Sequence, residues 1–311
     1  MEPTNEIRRI GVVGAGVIGS GWAAHFLAQG LDVVATDPAP KAKDDMIQRI
    51  DRVWPFLEQL GLHPTASRSR LSFNSDLTEA VRGADFVQEN GPERDDLKRE
   101  LFKKLDAALP PHVIIASSSS GLMMSSIQSG CQHPERCVIG HPFNPPYLVP
   151  LVEVVGGAKT SPATLERTMQ FYRDVKKSPI LLHKEAKGHV ANRLQAALWR
   201  EAIHLVAEGV VSVNDVDAAV HLGPGLRWSF MGPHLTFHLA GGNGGMKHFL
   251  DHLSGPVGTW WADLGHPVIT DEVRKMLVEG VNEEAAGRSI AELERERDES
   301  LVKLLTTLSK K

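Results

Sequence analysis

The fold of this chain is decided by a stretch near its start, Ile10-Gly11-Val12-Val13-Gly14-Ala15-Gly16-Val17-Ile18-Gly19. It begins with an apolar run of the kind found in buried strands and passes into a run of glycines. After the glycines, the apolar side chains Trp22, Phe26 and Leu27 recur at the spacing of one helix face. The stretch therefore predicts a strand, a tight turn and a helix in direct succession.

The glycines follow the spacing G-x-G-x-x-G, and each has a separate physical use. Gly14 permits the tight turn, Gly16 lets a pyrophosphate approach the backbone, and Gly19 allows the helix to pack closely. The amino end of that helix then faces the phosphates, where its dipole and its free N–H groups favour negative charge. The spacing predicts a dinucleotide site, and a glycine turn without a ligand is the alternative when the string is taken alone.

A second apolar run, residues 31–35, leads to Asp37, about twenty residues beyond the glycines. An acidic side chain at this place binds the ribose 2′-hydroxyl group and repels a 2′-phosphate. The combination favours NAD over NADP as the cofactor. The predicted cofactor contacts in this part of the chain are Gly14, Gly16, Val17, Ile18, Gly19 and Asp37.

Strand-like runs and helical patterns alternate from here to about residue 184. Strands are predicted near residues 84–88, 112–116, 137–140, 151–155 and 179–182, and helices near 41–60, with a kink or break at Pro55, 92–108 and 161–176. From residue 187 onward only long helical patterns remain. We therefore expect an α/β fold, with a doubly wound Rossmann-type sheet domain over residues 1–186 and a smaller all-α domain over 187–311.

A run of serines, Ser117 to Ser120, comes directly after the predicted strand at 112–116. Parallel strands end at a common edge of the sheet, where folds of this type bind their ligands. A low-complexity linker is the alternative, but the run is short and an apolar helical pattern resumes at Leu122. We expect these hydroxyl groups to lie at the ligand-binding edge.

The sequence Gly140-His141-Pro142-Phe143-Asn144-Pro145-Pro146 joins two of the predicted strands. Its prolines restrict the backbone, so this connection should be stiff. His141 stands at its entry and Glu153 on the exit strand. These are the residue types needed for a general base near neutral pH and for a carboxylate that orients and charges it. A pair that merely faces solvent is the alternative.

The second half of the chain begins with a long helical pattern that starts near Val190 and has Asn192 in its first turn. The capping box Ser289-Ile290-Ala291-Glu292 predicts the start of the last helix. Between them lies a segment rich in glycine and aromatic residues, in which Trp228 and Phe230 are suited to wall a small ligand. A plain packing role is the alternative for each aromatic side chain.

Composition excludes several classes of function. The 311 residues carry a formal net charge of −4 with both signs interleaved, so we expect no surface for nucleic acid. No apolar run reaches membrane-spanning length, and the first residues lack the apolar core of a signal peptide. The two cysteines, Cys131 and Cys137, have neither metal-ligand nor redox spacing. We therefore expect a cytoplasmic protein without a metal site.

Taken together, the motifs resemble the L-3-hydroxyacyl-CoA dehydrogenase family over nearly the whole chain. They are the glycine string, the serine run, His141-x-x-Asn144-Pro145, Glu153 and Asn192-Arg193. The resemblance implies that His141 takes the proton from a substrate 3-hydroxyl group, that Glu153 holds and charges the imidazole, and that hydride passes to NAD. Further residues that match the family's contacts are Ser120, Asn144 and Asn192 for the substrate, and Glu93 and Lys98 for the nicotinamide half of NAD.

Two departures separate this chain from the acyl-CoA enzymes of that family. Those enzymes usually carry Asn-Thr-Ser-Ser where this chain has Ser118-Ser119-Ser120-Gly121, and an aromatic residue in place of Pro142. The sequence His-Pro-Phe-Asn-Pro-Pro-Tyr instead resembles the branch that contains L-gulonate 3-dehydrogenase (lambda-crystallin) and the L-carnitine dehydrogenases. Within that branch, the run of residues 223–233 resembles the carnitine enzymes most.

This branch implies a small hydroxy acid as the substrate, with L-carnitine favoured. A quaternary ammonium group is held best by aromatic faces, and the candidates for such a wall are Phe143, Tyr147, Trp199, Trp228 and Phe230. Arg227 or Asn192 is the candidate for the substrate carboxylate. A hydroxyacyl-CoA or L-gulonate as substrate, or a non-catalytic role like that of a lens crystallin, remain alternatives. We expect a homodimer, because the helical domain has a large apolar face to cover.

Overall fold

The computed structural model describes residues 7–309. Its centre is a sheet of eight strands in the order β3-β2-β1-β4-β5-β6-β7-β8. The strands are β1 (Arg9–Val13), β2 (Asp32–Thr36), β3 (Leu71–Phe73), β4 (Phe86–Glu89), β5 (Ile114–Ser117), β6 (Cys137–Pro142), β7 (Leu151–Gly156) and β8 (Ser178–Leu182). Neighbours are parallel except for β6 and β7, which pair antiparallel. The last two strands therefore run against the others.

Helices follow most strands and then take over the chain. The first set is α1 (Val17–Ala28), α2 (Ala42–Leu60), α3 (Leu77–Val81), α4 (Asp95–Ala108), α5 (Met124–Ile127) and α6 (Pro162–Asp174). The second set is α7 (Ala191–Ala207), α8 (Val213–Leu222), α9 (Pro224–Trp228), α10 (Pro233–Ala240), α11 (Gly245–Asp263), α12 (Asp271–Ala285) and α13 (Ile290–Leu308). The predicted class, a Rossmann-type α/β sheet followed by a helical part, is confirmed.

Apolar side chains fill both faces of the sheet, because alternate residues of a strand point to opposite sides. Ile10 and Val12 of β1 belong to a buried cluster with α1, α2 and α6, whereas Val13 belongs to a second cluster with α4 and α5. Trp22 and Phe26 of α1 are fully buried in the first cluster. This doubly covered sheet is what holds the strand ends at fixed positions.

Helix α2 contains Pro55 without a break. Met46 and Ile50 on one side of the proline and Leu57 on the other lie on the same buried face. This face packs against α1 on both sides of the proline. Of the predicted kink or break at Pro55, the break is therefore wrong, because tertiary contacts outweigh the hydrogen bond that the proline removes, and the kink stays a prediction.

The sequence analysis does not predict β3 or α3, and it does not predict the reversal of β7. Both elements are short, at three and five residues, so neither contains a full period of its pattern. Helix α3 is held at its start by Asp76, whose side chain accepts a hydrogen bond from Glu79 N. The reversal follows because residues 143–150 join β6 to β7 without a helix.

The described residues form two compact units. Within the described residues, the sheet unit comprises residues 7–192 together with Asp298–Thr306, and the helical unit comprises Arg193–Arg297 with residues 307–309. The predicted domain boundary after residue 186 precedes this division by a few residues. Most of the last turns of α13 therefore belong to the sheet unit, although they follow the helical unit along the chain.

The helical unit has a small core of its own, made by Val206, Val213 and Val216. A Cβ atom on Gly280 of α12 would lie 2.4 Å from Val213 Cγ2, so only glycine lets α12 approach α8 this closely. The predicted capping box before α13 is confirmed, because Ser289 N donates to Glu292 Oε2 at 2.8 Å and Glu292 N to Ser289 Oγ at 3.3 Å.

Over residues 7–309, no helix combines the length and the apolar character needed to cross a membrane.

Candidate active site

His141 and Glu153 lie directly opposite each other on the antiparallel strands β6 and β7. His141 Nδ1 is 2.9 Å from Glu153 Oε2. The exposed fractions of the two residues are only 6 % and 0 %. The pair therefore does not face solvent, and strand register alone brings a histidine and a glutamate twelve positions apart into contact.

The second oxygen of Glu153 caps the start of α7. Oε1 accepts hydrogen bonds from the backbone N–H groups of Val190 at 2.8 Å and Ala191 at 2.9 Å. Burial alone would raise the pKa of Glu153, but the hydrogen bonds from His141, Ala191 and Val190 outweigh burial and lower it. Glu153 is therefore an ionised carboxylate that only accepts hydrogen bonds.

This charge state fixes the tautomer of His141. Since Glu153 has no proton to give, Nδ1 of His141 must carry the hydrogen between them, and the lone pair of the neutral ring lies on Nε2. The imidazole is thus arranged to accept a proton at Nε2. The carboxylate beside Nδ1 would stabilise the imidazolium that results.

The segment that precedes α7 also holds the serine run. His189 Nε2 donates to Ser119 O at 3.0 Å, and Asn192 Nδ2 donates to Ser120 O at 3.0 Å. His189 has a φ of 51°, in the left-handed region that side chains other than glycine and asparagine rarely adopt. This turn aims the next two N–H groups at Glu153. One short segment therefore orients Glu153 through its backbone and the serine run through its side chains.

His189 is a further residue of this group, which the sequence motifs do not predict. It is 2 % exposed, and its ring centroid lies 5.3 Å from that of His141. Its Nδ1 has no hydrogen-bond partner among the described residues. Burial is the largest cause that lowers the pKa of His189, so the ring is held neutral beside His141. Its only signal in the sequence is its place between Gly188 and the predicted Asn192 helix.

Glu93 gathers the serine run at one carboxylate oxygen. Its Oε1 accepts from Ser119 Oγ, Ser120 N, Ser120 Oγ and Gly121 N, at distances of 2.8–3.1 Å. Helix α4 begins at Asp95, so Glu93 lies before the helix rather than in its first turn as the sequence predicted. Glu93 and Ser120, predicted for cofactor and substrate respectively, are thus in direct contact.

Lys98 lies in a buried ion pair. It is 1 % exposed, and its Nζ is 2.8 and 2.9 Å from the two carboxylate oxygens of Glu89 and 3.9 Å from Glu93 Oε2. Glu89 also accepts from Ser117 Oγ at 2.6 Å. The sequence analysis did not single out Glu89, whose only signal is an acidic residue at the end of an apolar strand. Lys98 therefore contacts Glu89 more closely than Glu93.

The connection between β6 and β7, residues 143–150, carries three of the predicted site residues. The ring of Phe143 meets that of His141 edge-on at 6.0 Å. Asn144 is exposed and precedes a cis peptide bond to Pro145. Tyr147 donates its hydroxyl group to Asp298 at 2.5 Å. Phe143 therefore lies near His141 and Asn144 is open to solvent, whereas the Tyr147 hydroxyl group is already hydrogen-bonded to Asp298.

The glycine turn has the shape that a dinucleotide requires. A Cβ on Gly14 would lie 2.7 Å from Asn90 O, and one on Gly19 would lie 1.9 Å from Gly14 O. Space beside Gly16 is open, and as the N-cap residue of α1 it has no side chain that could cap the helix end formed by Val17 and Ile18. Close packing at two glycines and open space at the third fit a pyrophosphate at the helix end.

Asp37 stands at the end of β2, beside the glycine turn. Its Oδ2 accepts from Ala15 N at 2.8 Å and its Oδ1 from Ala39 N at 2.9 Å. Each carboxylate oxygen keeps a further lone pair for a ribose hydroxyl group. The predicted sequence of strand, turn, helix, strand and acid is present in three dimensions.

The remaining predicted substrate residues belong to the helical unit. Trp199 lies on α7, while Arg227 and Trp228 end α9 and Phe230 follows it. All are exposed, the aromatic side chains by 40–60 %. None of them belongs to the unit that contains His141. Their predicted contacts with substrate therefore stay predictions.

Two family models match the chain. The model of the 3-hydroxyacyl-CoA dehydrogenase NAD binding domain matches residues 9–186, and that of the 3-hydroxyacyl-CoA dehydrogenase C-terminal domain matches residues 188–290. The family resemblance and the NAD cofactor predicted from the motifs are confirmed.

Individual proteins match over almost the full length. The chain is 52 % identical over 300 residues to the L-carnitine dehydrogenase of Streptomyces griseus subsp. griseus, which covers 96 % of this chain and 90 % of that protein. It is 49 % identical over 306 residues to the L-carnitine dehydrogenase of Bacillus cereus, which covers 98 % and 94 %. A solved structure of 5-formyl-3-hydroxy-2-methylpyridine 4-carboxylic acid 5-dehydrogenase, an NAD-dependent dismutase, is 31 % identical with a TM-score of 0.84 and covers 98 % and 99 %. The chain belongs to the 3-hydroxyacyl-CoA dehydrogenase family and is an NAD-dependent oxidoreductase.

Proposed function

We propose that this chain oxidises the 3-hydroxyl group of L-carnitine to the ketone of 3-dehydrocarnitine, with NAD as the hydride acceptor. The observation that carries the proposal is the buried contact of 2.9 Å between His141 Nδ1 and Glu153 Oε2. The choice of L-carnitine is supported by relatives of that name, which are 46–52 % identical over 96 % of this chain.

His141 is the general base in this proposal. Its Nε2 takes the proton of the substrate hydroxyl group, and the imidazolium that forms keeps its Nδ1–H on Glu153. The ring is neutral before this step and charged after it, so the buried carboxylate favours the charged state and lowers the barrier. The amides of Val190 and Ala191 hold Glu153 in place while the ring changes charge.

NAD, when bound, supplies the acceptor for the hydride that leaves C3 of the substrate. The residues that would hold its pyrophosphate are those of the glycine turn, namely Gly14, Gly16, Val17, Ile18 and Gly19. Asp37 would accept from the ribose 2′-hydroxyl group and exclude a 2′-phosphate. Glu93 and Lys98 would border the nicotinamide half, where the ion pair of Lys98 with Glu89 fixes their positions.

Ser120, Asn144 and Asn192 bind the substrate oxygen atoms in this proposal. The Ser120 hydroxyl group, 3.1 Å from Glu93 Oε1, would turn from that carboxylate to the substrate. The Asn192 amide is held by Ser120 O at 3.0 Å, which leaves its carbonyl oxygen and one N–H for the ligand. The exposed Asn144 side chain is available to the same oxygen.

The two ends of carnitine call for opposite chemistry. Its trimethylammonium group has no hydrogen to donate and is best held by aromatic faces. We propose Phe143, Tyr147, Trp199, Trp228 and Phe230 as the wall, in which Tyr147 takes part through its ring because its hydroxyl group is bound to Asp298. Arg227 or Asn192 would bind the carboxylate end, with the guanidinium better suited to a planar anion.

An acyl-CoA substrate is the second candidate, since the family models carry that name. Arg68 and Arg70, which precede β3, are a basic pair suited to contact the nucleotide phosphates of CoA. Both guanidinium groups are already paired, Arg68 with Asp51 and Arg70 with Asp32. This observation favours the smaller hydroxy acid.

The experiment that tests the proposal follows NADH formation at 340 nm in parallel reactions. The substrates are L-carnitine, L-3-hydroxybutyryl-CoA and L-gulonate. We expect turnover with L-carnitine and a kcat/KM at least tenfold lower for the other two. Turnover with the CoA ester or with L-gulonate alone would replace the substrate, and NAD binding without any turnover would support a non-catalytic role.

We also propose that the protein is a homodimer formed through the helical unit. Large apolar side chains are exposed there, among them Leu226 at 64 %, Trp260 at 65 % and Trp261 at 71 %. A contact with a second copy would remove this surface from water. Light scattering coupled to size exclusion should give twice the chain mass of 34.0 kDa. The cytoplasmic location stays a prediction.

A further inference from the structure

Lys177 carries a buried amino group that the chemistry described above does not use. It follows α6 and precedes β8, and only 6 % of it is exposed. Its Nζ donates to the backbone oxygens of Pro146 and of Val149, the latter at 3.0 Å. Both acceptors lie in residues 143–150, the connection that joins His141 to Glu153. A buried ammonium group therefore binds this connection at two points.

Among residues 7–309, no carboxylate forms an ion pair with Lys177. The ammonium lies 5.2 Å from the centre of the Trp22 ring, which leaves carbonyl oxygens and an aromatic face as its partners. His25 of α1 is the titratable group nearby, and burial together with Lys177 lowers its pKa. Burial lowers the pKa of Lys177 itself to about 7. Burial of a charge is costly, and an apolar side chain at this position would avoid that cost. The presence of a lysine here is therefore not explained by stability alone.

Trp22 connects this lysine to the cofactor side of the sheet unit. It lies on α1, the helix that begins at the glycine turn. Its indole Nε1 donates to Ser118 Oγ at 3.2 Å. The indole of Trp22 thus connects α1 to the serine run, and the amino group of Lys177 connects this indole to the connection 143–150.

The connection 143–150 also presses directly on α1. A Cβ atom on Gly21 would lie 3.0 Å from Pro146 Cδ and 3.4 Å from Tyr147 Cδ1. The Tyr147 hydroxyl group binds Asp298 from another direction. Lys177 reaches backbone oxygens near both the middle and the end of the connection, and so holds it at two points.

We propose that Lys177 is a positioning residue for the reaction: its buried side chain fixes the connection 143–150 and thereby the place of Asn144 relative to His141. The inference rests on the proposed function for the identity of the substrate. It does not require Lys177 to touch substrate or cofactor. A misplacement of about 1 Å in a site of this kind lowers the rate by about a hundredfold, so a strut of this sort has a measurable effect.

The test compares Lys177→Met with Lys177→Arg and with the exposed Lys104→Met on α4. Methionine matches the length of lysine but donates no hydrogen bond, whereas arginine keeps the charge and the donors. With L-carnitine, we expect Lys177→Met to lower kcat about tenfold to a hundredfold, with the affinity for NAD within about twofold of wild type. Lys177→Arg should recover part of that loss, and Lys104→Met should match wild type.

Hydrogen–deuterium exchange supplies a readout that needs no substrate. Faster exchange confined to residues 143–150 in Lys177→Met would support the positioning role, even if the natural substrate is not carnitine. Unchanged exchange in that connection would overturn it. Faster exchange across the whole sheet unit with weakened NAD binding would also overturn it, since Lys177 would then serve general stability. Failure of wild type to oxidise carnitine counts against the proposed function alone.

Discussion

In the sheet unit the polar groups of interest are buried and partnered, whereas in the helical unit large apolar side chains lie exposed. Glu153 is fully buried with three hydrogen-bond donors around it, while Trp261 is 71 % exposed. A buried charge without partners is costly, so its position is determined within the unit. The position of an exposed aromatic side chain depends instead on the molecule that covers it. In our proposal, the groups that carry out the reaction therefore lie in the sheet unit, whereas part of the substrate wall is supplied by the helical unit.

Removal of the proposed general base, His141, is the strongest test of this difference between the units. We expect His141→Gln to lower kcat about 10²- to 10⁴-fold, because no group remains to accept the hydroxyl proton. NAD affinity, measured by fluorescence titration, should stay unchanged because the glycine turn is intact. The exposed His112→Gln serves as the control. Near wild-type turnover of His141→Gln would remove this histidine from the mechanism.

Glu153→Gln tests the partner rather than the base. The glutamine amide can still accept from Val190 and Ala191, but its NH₂ group would then donate to His141 Nδ1. The imidazole proton would move to Nε2, and the base would be lost. We expect kcat to fall about 10²- to 10⁴-fold, with Tm close to wild type. Glu166→Gln, exposed on α6, is the matched control, and equal turnover in both variants would contradict the tautomer assignment.

Substitutions of the proposed aromatic wall in the helical unit should change KM rather than kcat. Trp228→Ala and Phe230→Ala remove proposed aromatic contacts with the ammonium group, each worth about 0.5–2 kcal/mol. We expect each to raise the KM for L-carnitine about two- to thirtyfold, at nearly constant kcat. Lys275→Ala removes an exposed side chain from α12, outside the proposed wall, and is the control. An unchanged KM in both test variants would show that the wall is elsewhere.

The last prediction concerns the pH dependence of unfolding rather than turnover. The pKa of Lys177 is lowered by burial to about 7 from an ordinary value of 10.5. Below pH 7 the lysine is protonated in both native and unfolded chains, so its burial cost is fully present. Above pH 7 the native chain releases the proton first, and the free energy of unfolding should rise by up to about 1.4 kcal/mol per pH unit.

Urea unfolding of wild type and Lys177→Met between pH 7 and pH 9 measures this rise. The wild-type curve should gain stability relative to the variant as the pH increases. Parallel curves would mean that the lysine keeps its proton throughout, held by the two carbonyl groups and the indole face.

The sequence predicted the His141 and Glu153 contact because both residues flank one short connection between strands. Local order along the chain was sufficient there, as it was for the glycine turn and for the capping box at Ser289. These are contacts between residues close in sequence, where strand ends and helix starts leave signals in residue type.

What the sequence did not give are the contacts between distant residues. His189 meets Ser119 from 70 positions away, and Lys177 meets Pro146 from 31. A lysine after a helix has no local signal that separates a buried strut from a solvated charge. The reversal of β7 was equally invisible, because a strand pattern does not record the direction of its neighbour.

The return of Asp298–Thr306 to the sheet unit has a consequence for how the protein is made. During translation the first 192 residues emerge well before the end of α13 is synthesised. Tyr147 then has no Asp298 to receive its hydroxyl group. The sheet unit, whose synthesis begins first, is therefore completed last. A chain interrupted near its end would lack a part of the sheet unit and not only of the helical unit.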